Sequence, residues 1–170
     1  MRKSRTLIEL KYGKLLDDIL EKISVHDSYD ELVSQARIFF DDLYPYLKIA
    51  YFNDPIIPYS ILVYVALFTD RSFSDKEISL IAEIVSKSKF GRKYSDILKR
   101  EMEGTNLSEN KSQRLKNSKK ALFSFADHLT KDSLVSLVGL LCCFLLCNAT
   151  IENTERVLLL KLFEANPLYV

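Results

Sequence analysis

The segment "LVSLVGLLCCFLLC", Leu134 to Cys147, contains no charged residue, and its reading decides the fold. Crossing a bilayer takes about 20 apolar residues, and this run is shorter. A helix that is apolar on every side is buried on every side. The run is therefore predicted to be a core helix around which other elements pack. Cys142, Cys143 and Cys147 all fall within it. An odd number of thiols on one element builds no disulfide framework. They read as small buried hydrophobes in a reducing cytosol.

Working outward, Thr130 or Asp132 is placed to cap this helix, and a last helix is predicted over Glu152 to Glu164. A similar device stands earlier in the chain. "YSILVYVALF", Tyr59 to Phe68, is apolar almost all round and follows Pro58, which suits a first helical turn. After the polar link comes a helix from about Asp75 to Ser88, with Ile78, Ile81, Ala82 and Val85 as its stripe. Gly91 lies just past its end, a position that favours a left-handed residue. Laid without gaps, residues 61–85 cover 139–163: Leu62 meets Leu140, Leu67 meets Leu145, Leu80 meets Leu158, and Glu77 meets Glu155. The pattern predicts two copies of one αα-hairpin, 60–88 and 133–164, in a pseudo-symmetric bundle.

The remaining segments supply cladding. Leu7, Leu10, Leu15, Ile19, Leu20 and Ile23 recur at helical spacing behind Thr6, a candidate cap. "SYDE", Ser28 to Glu31, matches a capping box before a second helix through Leu32, Ala36, Phe39, Phe40 and Leu43, which Pro45 should kink or end. "YSDILKREM" reads as a short helix, "EGTNLSEN" as a loop, and "KSQRLKNSKKALFSFADHL" as a helix with a basic first half. No alternating run is long enough for a strand. The expectation is a single all-α domain, 1–170, with about seven helices.

Bulk properties narrow the function classes. Lys plus Arg is 24 and Asp plus Glu is 23, a net charge of +1, so no global field draws the protein to nucleic acid or an anionic membrane. The basic N-terminus lacks the apolar core of a signal peptide, and a cytoplasmic protein is expected. No P-loop, dinucleotide fingerprint or nucleophile grouping is present, so no catalysis is expected. His26 and His128 are the only histidines; a zinc site of His128 with Cys143 and Cys147 would need them to converge in a wet pocket.

The two polar links carry a motif. An apolar helix is followed by Asp70, then Phe73 three positions on and Glu77 seven on; the second copy has Asn148, Ile151 and Glu155. This resembles the tellurite-resistance TerB-like family over less than half of the chain. The resemblance implies an all-helical, stress-linked protein that binds other proteins, with Asp70, Glu77, Asn148 and Glu155 as candidate ligands for calcium or magnesium. The glycine that the family places after the acid is Arg71 in one copy and Ala149 in the other, and Asn148 replaces an acid. The residues also admit a purely structural role, because Ser74 and Glu77 form a capping box that stabilises a helix by about 1 kcal/mol. Calcium takes six to eight oxygens, so an ion would need both links close together. No cofactor is required by either reading.

A second functional reading rests on Lys111, Arg114, Lys116, Lys119 and Lys120, five basic residues within ten that contain no acid. They could meet phosphates and make the protein a small nucleic-acid adaptor. A solvated helix face or a mobile loop accounts for them without any ligand and is the simpler reading. The apolar tail, Leu168, Tyr169 and Val170, should dock on the core or meet a partner.

Overall fold

The computed structural model describes residues 2–24, 28–51, 75–87, 91–106, 111–147 and 150–169. Among them are seven α-helices and no strand: α1 (Arg2–Ser24), α2 (Tyr29–Tyr51), α3 (Asp75–Lys87), α4 (Gly91–Asn106), α5 (Lys111–Asp127), α6 (Lys131–Leu146) and α7 (Asn153–Ala165). A 3₁₀ turn, Pro167–Tyr169, follows. The all-α expectation holds. No helix of the described residues is long and apolar enough to cross a membrane.

The charge-free run is the centre of the molecule. Every residue of α6 from Leu134 to Leu145 except Val135 is buried. The helix starts where Thr130 caps it: Thr130 has extended backbone (φ −70°, ψ 168°), and its hydroxyl accepts from the Ser133 N–H at 3.2 Å. Around α6 pack α2, α1, α7 and α3. At the α2 seam, Gly139 lets the ring of Phe39 lie directly over the α6 backbone. Phe40, Leu43, Leu16, Ile23, Leu80, Ile84 and Phe163 fill the space between helices, within one contiguous core. Each such side chain contributes about 1.5–3 kcal/mol of transfer free energy.

Farther out, α3 packs on α4 and α2, and α5 packs mainly on α7. The buried Ser95 hydroxyl of α4 donates to the Ala82 carbonyl of α3 at 2.6 Å. The C-terminal residues close the other end. Asn166 is fully buried; its Nδ2 donates to the carbonyls of Ala126 (2.8 Å) and Leu129 (2.9 Å), and its Oδ1 accepts from Leu168 N–H (2.9 Å). These bonds tie the C-terminal segment to the turn that follows α5, where the Ala126 carbonyl also accepts the Leu129 N–H at 3.3 Å. Tyr169 docks, with its ring edge-on to Phe163 and its hydroxyl donating to Lys131 O at 3.1 Å. Leu168 stays exposed, and Val170 lies outside the described residues.

Several expectations need correction. Helix α1 begins at Arg2, so Thr6 lies inside it and not at its start. Helix α2 does not end at Pro45 but continues to Tyr51. Pro45 is on the exposed side, where water can take the carbonyl bond that its missing N–H gives up. Gly91 opens α4 instead of closing α3, and α4 extends through Glu103–Asn106, which read as loop. Most consequential, Leu7 and Leu10 are not part of the α1 core stripe. That stripe is Ile8, Tyr12, Leu16, Ile19 and Ile23, while Leu7 and Leu10 are 57% and 77% exposed. The first apolar helix of the proposed repeat, with its polar link, falls outside the described residues, and so does most of the overlay of 61–85 on 139–163.

Candidate functional site

The acidic links carry the candidate cation ligands. Asp70 and Asn148 lie outside the described residues, and of Glu77 only the helical backbone in the first turn of α3 is described. Glu155 is buried, and its Oε1 accepts the Glu152 N–H at 2.9 Å, the reach-back half of a capping box at the start of α7. The bond satisfies a backbone N–H at the entrance to the helix. Among the described residues, no three His, Cys, Asp or Glu side chains are grouped to hold a metal ion.

The histidine and the thiols are separated by environment. His128 is exposed, and its Nδ1 faces the Ser124 carbonyl one turn back at 2.7 Å, a contact that requires the proton on that nitrogen. Cys142 and Cys143 are buried, and desolvation pushes both thiols up, that of Cys143 to about 12. Cys142 and Cys143 therefore sit among apolar side chains as neutral thiols, while His128 lies on the exposed surface.

On α5, Lys116, Lys119 and Lys120 are exposed, together with Asn117. For Lys111 and Arg114, only the backbone is described. The first acid of this helix is Asp127, so its outer face is basic where it is described.

Two polar arrangements had not been expected from the sequence. Arg156 of α7 forks onto α1: Nε donates to Glu9 Oε1 at 2.6 Å, Nη2 to Glu9 Oε2 at 2.9 Å, and Nη1 to Asp17 Oδ1 at 2.8 Å. The Arg156 hydrogen bond is the main influence holding the Glu9 carboxyl below its ordinary range. Gly13, midway between the two acids, leaves room for the fork. The signal was present as Glu9, Gly13 and Asp17 at successive i, i+4 positions, a small residue flanked by two acids on one helix face. The second arrangement is a surface groove where α2 meets the start of α6, lined by Asp42, Pro45, Tyr46, Asp132, Ser133 and Ser136. Ser136 Oγ donates to Asp42 Oδ2 at 3.3 Å. Hydrogen bonds from Ser133 and Thr130 hold the Tyr46 phenol below its ordinary range. Each of these contacts ties one helix to another.

The exposed apolar residues remain. On α1, Leu7 and Leu10 are one turn apart on the side away from the core, with exposed Lys11 and Lys14 beside them. On α2, Ile38 is 49% exposed opposite the core residues Val33, Ala36, Phe40 and Leu43, in a shallow groove with Asp30, Glu31, Ser34 and Gln35. No protein-family model matches the chain, and comparison with curated proteins and with solved structures gives no match.

Proposed function

We propose that the protein is a non-catalytic, cytoplasmic helical module that binds other proteins through the outward face of α1. The observation that carries this reading is the exposure of Leu10, at 77%, beside exposed Leu7. Single exposed leucines are ordinary; two on adjacent turns, flanked by lysines, form the kind of edge that a partner's groove covers. The three cysteines, none of them in a disulfide, support a reducing compartment. The test is capture from cell extract by the immobilised protein. Leu10→Asp should lose the captured protein at least about tenfold, as expected for burial of one leucine, while Leu168→Asp, at the exposed tail, retains it. Equal capture by Leu10→Asp refutes the reading.

The resemblance to the TerB-like family adds a stress-linked role and a divalent cation to this proposal, both resting on the spacing of Asp70, Phe73 and Glu77. Calcium or magnesium at millimolar concentration should raise the melting temperature of the wild type and not of Asp70→Ala. An equal response in both removes the cation from the proposal.

A second reading is favoured by one observation, the exposed Lys116, Lys119 and Lys120 on a helix with no acid before Asp127. Three phosphate contacts predict weak binding whose logarithm falls with the logarithm of salt at a slope of about −2 to −3. Nucleic-acid binding that is insensitive to salt, or undetectable at low salt, refutes it.

A further inference from the structure

We infer that the protein self-associates head to tail: the outward face of α1 in one copy seats in the shallow groove on α2 of a second copy. This rests on the reading of α1 as a binding face and names its partner. The two patches match in kind. One presents Leu7 and Leu10 with Lys11 and Lys14; the other presents Ile38 with Asp30 and Glu31 along the groove, and Arg37 is exposed on the flank of Ile38. Apolar contact at the centre with opposite charges around it is the arrangement of a specific interface. Both Leu10 and Ile38 are exposed within one chain, so neither patch covers the other in a single copy. Because both halves of the contact are present on one sequence, a second copy is the partner whose complementarity is already on the surface.

The patches differ, so the contact is heterologous: repeated, it closes into a ring or runs on as a filament. Each is small, which places the interface at the weak end of specific contacts, below about 1,200 Å² in total. Opposite charges at its rim make the association weaken with salt.

The decisive experiment is sedimentation velocity on the whole chain from about 10 µM to about 1 mM, the range in which weak contacts populate. The wild type should grow in mass with concentration. Leu10→Asp sets an acid against the acidic groove and Ile38→Lys sets a base against the lysines of α1, so each variant removes one half of the contact. Both positions are exposed, so both variants should keep the wild-type melting temperature, and each should stay monomeric. An equimolar mixture of the two retains one intact α1 face and one intact α2 groove. It should form a 1:1 dimer and nothing larger. A monomeric wild type at every concentration overturns the inference, as does association of either variant at wild-type strength, or a mixture that stays monomeric. If the wild type is monomeric but extract capture through Leu10 persists, self-association is refuted and the binding role of α1 stands; loss of both refutes both.

Discussion

The seams between α2 and α6 and between α1 and α7 both close over a glycine. At Gly139 an added Cβ would come within 2.5 Å of the Phe39 ring; at Gly13 it would come within 2.6 Å of the Glu9 carboxylate. The intrusions are nearly equal in distance, yet their consequences differ because the neighbours differ. Phe39 is buried, and its ring can retreat only by reopening the seam between two helices. Glu9 keeps 41% of its side chain exposed, and its carboxylate can swing toward water. Tolerance of a substitution is set by whether the displaced group has somewhere to go, not by the clash alone.

The largest effect is expected at the dry seam. Gly139→Val forces side-chain bulk into the space of the Phe39 ring and should destabilise by about 3 kcal/mol, the upper end for overpacking. In a chain of this size that lowers the melting temperature by roughly 6–12 °C. Phe39→Leu in the same chain should recover part of the loss, and the double-mutant cycle measures how much of the cost is this one contact. A purely additive double mutant would show that the ring and the glycine are not coupled, and the contrast between the seams would fail.

The wet seam should respond less. Arg156→Gln removes the fork that joins α7 to Glu9 and Asp17. Both carboxylates are well exposed, at 41% and 62% of their side chains, so solvent screens the pairs and the loss should be about 1 kcal/mol. A loss near that of Gly139→Val would mean that the polar seam holds the molecule as firmly as the apolar one.

How much of this could be read from the chain depends on how many solutions each segment had. The run from Leu134 to Cys147 had one, because a charge-free segment too short for a membrane must be buried. The Thr130 cap and the Ser28 hydroxyl, which accepts Glu31 N–H at 3.1 Å, were also legible, since capping is local chemistry. Helix α1 had two apolar faces, and spacing alone does not say which one meets the rest of the fold. The wider stripe of Ile8, Tyr12, Leu16, Ile19 and Ile23 took the core, and Leu7 and Leu10 were left outside. Arg156 could not be paired in advance because its acids are 147 and 139 residues away in sequence. The acidic links with Asp70 and Asn148, on which the cation reading rests, fall outside the described residues.

Acid should dissolve part of the wet seam and leave the dry one intact. The Glu9 carboxyl titrates below its ordinary value of 4.5 in the folded protein, chiefly because Arg156 hydrogen-bonds its charged form. A depressed folded value means that the stabilisation is fully present above about pH 4.5. It is lost as pH falls through the lower folded value. Arg156 stays charged throughout, so the titration belongs to Glu9. Glu9→Gln should therefore melt below the wild type at neutral pH, by less than about 1 kcal/mol given the exposure of the pair. The gap should close as both are taken to acid. A gap that is constant with pH would assign the difference to shape instead of charge.

Gly13→Ala should show the smallest effect and is the sharpest test of the comparison. Two changes oppose each other. Alanine is favoured over glycine inside a helix by about 1 kcal/mol. Against this, the new methyl displaces Glu9 Oε2 and approaches Arg156 Nη2, which would be 3.5 Å from it, so the fork gives up part of its bidentate geometry. Because the whole cluster is worth only about 1 kcal/mol when screened, the two should nearly cancel and leave stability within about 0.5 kcal/mol of the wild type. The fork is still expected to loosen: the pH dependence assigned to Glu9 should weaken in Gly13→Ala even though its melting temperature at neutral pH hardly moves. If the melting temperature instead falls as it does at Gly139, the carboxylate has no room to withdraw and the two seams obey one rule, not two.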